Sequence, residues 1–129
     1  MRRLSRSLVQ VCLACAFAAL LATGAVAHQY SAPTTTSLRY DETDGRFRGR
    51  VDSPRDPCLQ QRKIKLVKHT DDGNEVVGRT RSNSRGRWNI AEGNASGAYS
   101  AVVVRRYSAP TGHVHQCQRG ASGTVTVDP

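Results

Sequence analysis

Residues 84–104, SRGRWNIAEGNASGAYSAVVV, constrain the fold more than any other stretch of this chain. Asn83-Ser84-Arg85-Gly86 has turn composition. Trp88, Asn89 and Ile90 alternate apolar and polar, the period of a half-buried strand. A loop bounded by Gly93 and Gly97 follows, and residues 99–104 form a second strand. Short strands joined by glycine-bounded turns, one anchored by a tryptophan and the next by a tyrosine, predict an all-β sandwich.

The same pattern extends in both directions. Residues 37–41 read as a short strand, followed by the turn Asp41-Glu42-Thr43-Asp44-Gly45. Residues 46–52 alternate cleanly, with Phe47, Gly49 and Val51 on one face and Arg46, Arg48 and Arg50 on the other. Two prolines make residues 53–57 a loop. In the strand at 63–69, Ile64 and Leu66 point inward and Lys63 and Lys65 outward. Asp71-Asp72-Gly73-Asn74 is a hairpin signal and leads into a strand at 76–81. The strand at 98–106 holds three consecutive valines, which predict burial on both faces. Residues 108–122 read as a long loop, and 123–127 as the closing strand. No segment sustains a helical period. The expected fold is a seven-stranded antiparallel Greek-key sandwich, transthyretin-like or Ig-like, over residues 37–129.

The first 27 residues have a different character. Arg2, Arg3 and Arg6 precede an apolar run from Leu8 to Leu21, and Ala25-Val26-Ala27 is a small-x-small cleavage site. This is the pattern of a signal peptide removed before His28, which predicts a secreted, envelope or periplasmic protein with no transmembrane segment after cleavage. Residues 28–36, HQYSAPTTT, are polar and predicted to be a flexible leader. Cleavage leaves 102 of the 129 residues, enough for one domain with a modest core. It also leaves two cysteines, Cys58 and Cys117. An oxidising compartment predicts a disulfide between them, and two cysteines are too few for a structural zinc site.

Of the 19 Lys+Arg, three leave with the signal, so 16 face 10 Asp+Glu and the net charge is +6. Arg46, Arg48 and Arg50 share one strand face, as do Lys63 and Lys65, and Arg79 and Arg81. If those strands are neighbours, they make one basic plate. Such a plate suits an anionic polymer or an envelope surface, held by charge without sequence readout. The alternative is an ordinary solvated face whose long stems cover apolar surface. The pentapeptide Tyr-Ser-Ala-Pro-Thr occurs at 30–34 and 107–111, in surroundings too different for a solenoid repeat.

The motifs occur in a recognisable order. Phe47-x-Gly49-x-Val51 precedes Cys58. The basic strand and a Val-Gly-Arg-Thr segment follow, then Gly86-x-Trp88-x-Ile90. Gly97-x-Tyr99-x-Ala101-x-Val103 and Cys117 come last. This order, over residues 37–127, resembles the transthyretin-like, carboxypeptidase-regulatory-like group of secreted β-sandwiches, which includes the collagen-adhesin B-type repeats. The resemblance implies an accessory, adhesive or structural module. One enzymatic branch of that group ends in Tyr-Arg-Gly-Ser. This chain ends in Thr124-Val125-Thr126-Val127-Asp128-Pro129, and that activity is not carried over. The adhesin repeats often hold a Lys–Asn isopeptide bond, for which Lys63 or Lys65 with Asn83 or Asn89 are nominees.

The residues themselves offer little catalytic chemistry. No serine sits in a nucleophile elbow, no acidic cluster has calcium-loop spacing, and no glycine-rich loop cradles phosphate. Neither an enzyme nor a cofactor is expected. Asn94-Ala95-Ser96 is a glycosylation sequon. The second functional reading is copper binding: His28, exposed by cleavage, would offer its amine and imidazole, with His113 and His115 as further ligands.

Overall fold

The computed structural model describes residues 29–109 and 113–129, and these residues form an all-β, sandwich-like fold. Twelve strand segments run in order: β1 (Gln29–Ala32), β2 (Thr35–Thr36), β3 (Arg39–Asp41), β4 (Arg46–Asp52), β5 (Lys63–Thr70), β6 (Gly73–Arg81), β7 (Arg87–Ala91), β8 (Gly97–Val103), β9 (Arg106–Ser108), β10 (Val114–Cys117), β11 (Gly120–Ala121) and β12 (Val125–Val127).

One sheet is centred on β4. β7 pairs with one of its edges, while β2 and β3 share the other. The second sheet runs β6-β5-β8, with β11 and β12 sharing the far edge of β8. β4 pairs with β7 in one sheet and β5 with β6 and β8 in the other, so the chain crosses between sheets after β4, after β6 and again after β7. Seven strand positions make up the sandwich, two of them broken into segments. Strand segments outnumber the expected seven for that reason, and because a third sheet exists.

The third sheet has the order β1-β10-β9. It overturns two expectations. Residues 29–36 are not a free leader, because β1 lies parallel to β10 and Ala32, Thr34 and Thr36 are buried. Residues 108–122 are not one loop, because β10 runs through them with Cys117 at its end. The two Tyr-Ser-Ala-Pro-Thr copies start in the strands flanking β10, one parallel and one antiparallel to it.

Alternation decides what is buried. Phe47 and Val51 of β4, Trp88 and Ile90 of β7, Ile64 and Leu66 of β5, and Tyr99, Ala101 and Val103 of β8 form one apolar cluster between the sheets. Gly49 belongs to the same face. A Cβ there would come within 2.3 Å of the Trp88 ring and 2.2 Å of the Ser37 carbonyl oxygen, so only glycine lets the indole lie against β4. The Trp88 Nε1–H donates to Thr36 Oγ1 at 3.0 Å, pairing the one polar atom of the ring. Of the three consecutive valines at the end of β8, only Val103 is buried. Val102 and Val104 are half-buried, because the outer face of that sheet carries no further layer.

The registers give the sandwich two distinct ends. The β3–β4 turn, the β5–β6 hairpin and the β7–β8 loop lie at one end. The end of β4, the start of β5, the β6–β7 turn and the third sheet lie at the other.

Candidate functional site

The outer face of the β4 sheet is built from the side chains that alternate with the core. β4 supplies Arg46, Arg48 and Arg50, β3 supplies Arg39 and Asp41, and β7 supplies Arg87 and Asn89. Arg39 stands directly across from Arg48, and Arg50 directly across from Arg87. Like charges facing across an antiparallel pair are destabilising. Both ion pairs found among the described residues hold Arg48, one to Asp41 and one to Asp44. Arg46 donates to Asn89 Oδ1 at 2.6 Å. Arg39, Arg50 and Arg87 have no carboxylate partner among the described residues. Together with Arg48, Ser37, Asn83 and Asn89 they line an open concavity of about 580 Å³. Asp52 ends the β4 row and accepts from the Ser53 amide.

The expected single plate is two plates. Lys63, Lys65, Arg79 and Arg81 lie on the outer face of the other sheet, where Lys63 faces Arg81 and Lys65 faces Arg79. β4 pairs with neither β5 nor β6, because the chain crosses to the opposite sheet through residues 53–62. The four side chains border a groove of about 460 Å³ with Ile64 and Thr80. Sequence reading missed Arg39 and Arg87 as members of the first plate. The β7 alternation exposes Arg87, but only the pairing of β7 with β4 puts it beside Arg50.

Cys58 and Cys117 form the expected disulfide, with Cα atoms 5.5 Å apart across 59 residues of sequence. Beside it lies Arg62, which is completely buried. Its guanidinium donates to Thr34 Oγ1, the Cys58 carbonyl, the Val104 carbonyl and the Gln118 carbonyl at 2.8–3.0 Å. Its Nε has no partner among the described residues. Burial, and then the nearby charge of Arg106, lowers its pKa to about 10, which leaves it charged at neutral pH. Arg106 donates to the Gln60 and Pro57 carbonyls and lies 3.7 Å from Cys117 Sγ. These two arginines join the third sheet to the sandwich, and sequence reading missed both. One signal was present: the period that turns Ile64 and Leu66 inward also turns Arg62 inward.

The histidines divide. His28 lies outside the described residues. The His113 and His115 rings are 6.1 Å apart, and Tyr30 stacks on His115 at 4.4 Å. No group of three metal-ligating side chains occurs among the described residues. Of the isopeptide nominees, Lys63 and Lys65 lie on one outer face and Asn89 on the opposite one, while Asn83 Oδ1 accepts the Arg85 and Arg87 amides.

One arrangement not read from sequence is a hydrogen-bonded chain. Asn74 Oδ1 meets His69 Nδ1 at 2.7 Å, and His69 Nε2 meets Ser100 Oγ at 2.9 Å. The types are those of a nucleophile, a base and an orienting group. Ser100 is only 9% exposed, mid-strand between paired neighbours. The next amide along, Ala101 N–H, donates to Ser122 Oγ and so is not free to receive an oxyanion.

No helix among the described residues is long and apolar enough to cross a membrane. No family model, curated protein or solved structure matches the chain.

Proposed function

We propose that this chain is a secreted, non-enzymatic β-sandwich module that holds an acidic polysaccharide of the cell envelope on the outer face of its β4 sheet. The observation that carries this reading is Arg50 facing Arg87, with Arg39 on the same face and none of the three paired to a carboxylate among the described residues, around an open concavity. Such pairs cost stability unless an anion sits between them. Charge without stacking favours a polysaccharide over a nucleic acid. Trp88 borders the concavity but is only 4% exposed, Tyr99 is buried, and the strongly exposed Tyr107 lies on β9, away from this face.

The signal-like residues 1–27 and the disulfide support an oxidising, exported location. The order of strand motifs supports membership of the transthyretin-like group, whose modules are largely accessory or adhesive. The occupied Ala101 amide beside Ser100 supports a non-enzymatic role.

Heparin affinity at graded salt tests the reading. Replacing Arg39, Arg50 and Arg87 together by Gln is expected to weaken binding at least tenfold. It should also shallow the salt slope by about 2, at roughly 0.7 per lost contact. The same variant should melt no lower than wild type, because like-charge contacts are relieved. Unchanged heparin retention overturns the proposal. Tighter binding of single-stranded DNA than of heparin at equal ionic strength overturns the choice of polysaccharide.

A further inference from the structure

The two basic plates lie on opposite sheets, yet the chain between them stays basic. β6 ends at Arg81, the turn Asn83-Ser84-Arg85-Gly86 rounds the edge of the sandwich, and β7 begins at Arg87. Arg79, Arg81, Arg85 and Arg87 are all exposed, and residues 76–91 contain no acidic side chain. The turn is a defined structure. Gly86 N–H donates to the Asn83 carbonyl, and Asn83 Oδ1 accepts the Arg85 and Arg87 amides. Gly86 has a φ of +78°, and a Cβ there would lie 2.4 Å from the Val51 carbonyl oxygen. A residue with a side chain is excluded there, which fixes where Arg85 leaves the edge.

Position along the strands adds an independent observation. Glu42, Asp44, Asp71, Asp72 and Glu92 lie in the turns at the far end of the sandwich, Asp41 ends β3 there, and Glu75 lies toward that end of β6, facing Lys68. Lys63 facing Arg81, and Arg50 facing Arg87, lie at the near end, on either side of the Asn83–Gly86 turn. Asp52 and Asp56 are also at the near end. Asp52 ends β4, paired with Thr35 of β2 across β4 from β7, and Asp56 opens the 3-10 turn that leads to Cys58. The near end of the β6–β7 edge is therefore basic.

We infer that the anionic polymer does not stop at the β4 face but passes over the β6–β7 edge, so that a single chain engages both plates. This rests on the polysaccharide reading above. Arg85 is the corner contact, and Arg81 with Lys63, then Arg79 with Lys65, extend the path onto the second sheet. Linking two sites on one ligand makes the second contact intramolecular. Affinity should then rise with polymer length by about 100-fold, the low end for linked sites.

The experiment compares a short heparin fragment that spans one face with full-length heparin. It uses wild type and a variant with Lys63, Lys65, Arg79 and Arg81 replaced by Gln. Wild type should prefer the long chain about 100-fold and bind it as a soluble one-to-one complex by sedimentation. The variant should bind the short fragment as wild type does, lose the length preference, and lose roughly 3 from the long-chain salt slope. Arg85→Ser should lower only the long-chain affinity. A variant that retains wild-type affinity and slope for the long chain overturns the inference and leaves the β4-face reading standing. Large cross-linked complexes also overturn it, because they put separate polymers on the two plates. Wild type that ignores both probes overturns the underlying reading instead.

Discussion

The molecule is held together in two different ways, by region. Between the two sandwich sheets lies an apolar cluster in which Phe47, Leu66, Ala101 and Val103 are fully buried, with Tyr99 and Trp88 nearly so. Under the third sheet the buried apolar residues are Ala32, Cys58 and Cys117, with Tyr30 packed against them. That is too little surface to hold three strands. In its place are one covalent bond and one buried cation whose fork of donors reaches four segments of chain. Apolar burial is non-directional and tolerates repacking. A disulfide and a forked arginine are directional, and each depends on all of its partners being in place. The third sheet is thus small, polar and specific, whereas the sandwich is broad and apolar.

The largest expected effect is in the sandwich. Trp88→Ala removes the biggest core side chain and its hydrogen bond to Thr36, and should cost about 5 kcal/mol, the upper end for aromatic truncation. Urea unfolding followed by circular dichroism measures it. A loss under 2 kcal/mol would mean the cluster is plastic enough to close over the gap. Next comes the disulfide. A closed loop of 59 residues predicts about 4 kcal/mol of loss for Cys58→Ser from chain entropy. Hydrogen exchange should show β10 amides losing protection before those of β5 and β8. Uniform loss across all three strands would erase the distinction between regions.

Arg62→Met should have the smallest effect of the three, about 3 kcal/mol. Four acceptors lose their donor, each loss worth roughly 1 kcal/mol, but the burial of a charge is also removed. This variant sharpens the contrast most. Methionine has comparable length and greater apolarity. If the third sheet were held by burial, Arg62→Met would stabilise it, and a raised melting temperature would refute the role given to the guanidinium.

Much of the architecture is legible in the residues, and the rest is not, for one physical reason. Alternation is local. It places Phe47 and Val51 opposite Arg46, Arg48 and Arg50, turns Ile64 and Leu66 inward, and buries Trp88. Turn chemistry is equally local, and the hairpin at Asp71-Asp72 and the turn at Gly86 form where composition put them. The disulfide is the pairing expected once residues 1–27, with Cys12 and Cys15, are read as a signal. Strand order is not local. Nothing within residues 46–52 says that their neighbour is the strand at 87–91 rather than that at 63–70, and that choice splits one expected basic plate into two.

The third sheet shows the same limit more sharply. Residues 29–36 and 113–117 have little apolar signal of their own, because their order comes from each other, from Cys58–Cys117 and from Arg62. By itself the sequence determined the fold class, the buried and exposed side of each main strand, the turns and the disulfide. All of these depend on side-chain period and backbone preference over a few residues, except the bridge, which is expected from the cysteines left outside the signal-like residues 1–27. Only the tertiary structure decided which strands are partners, which cations share a face, and that an arginine lies at the junction of two regions. Those depend on contacts between segments tens of residues apart, whose energy appears only once the chain has closed upon itself.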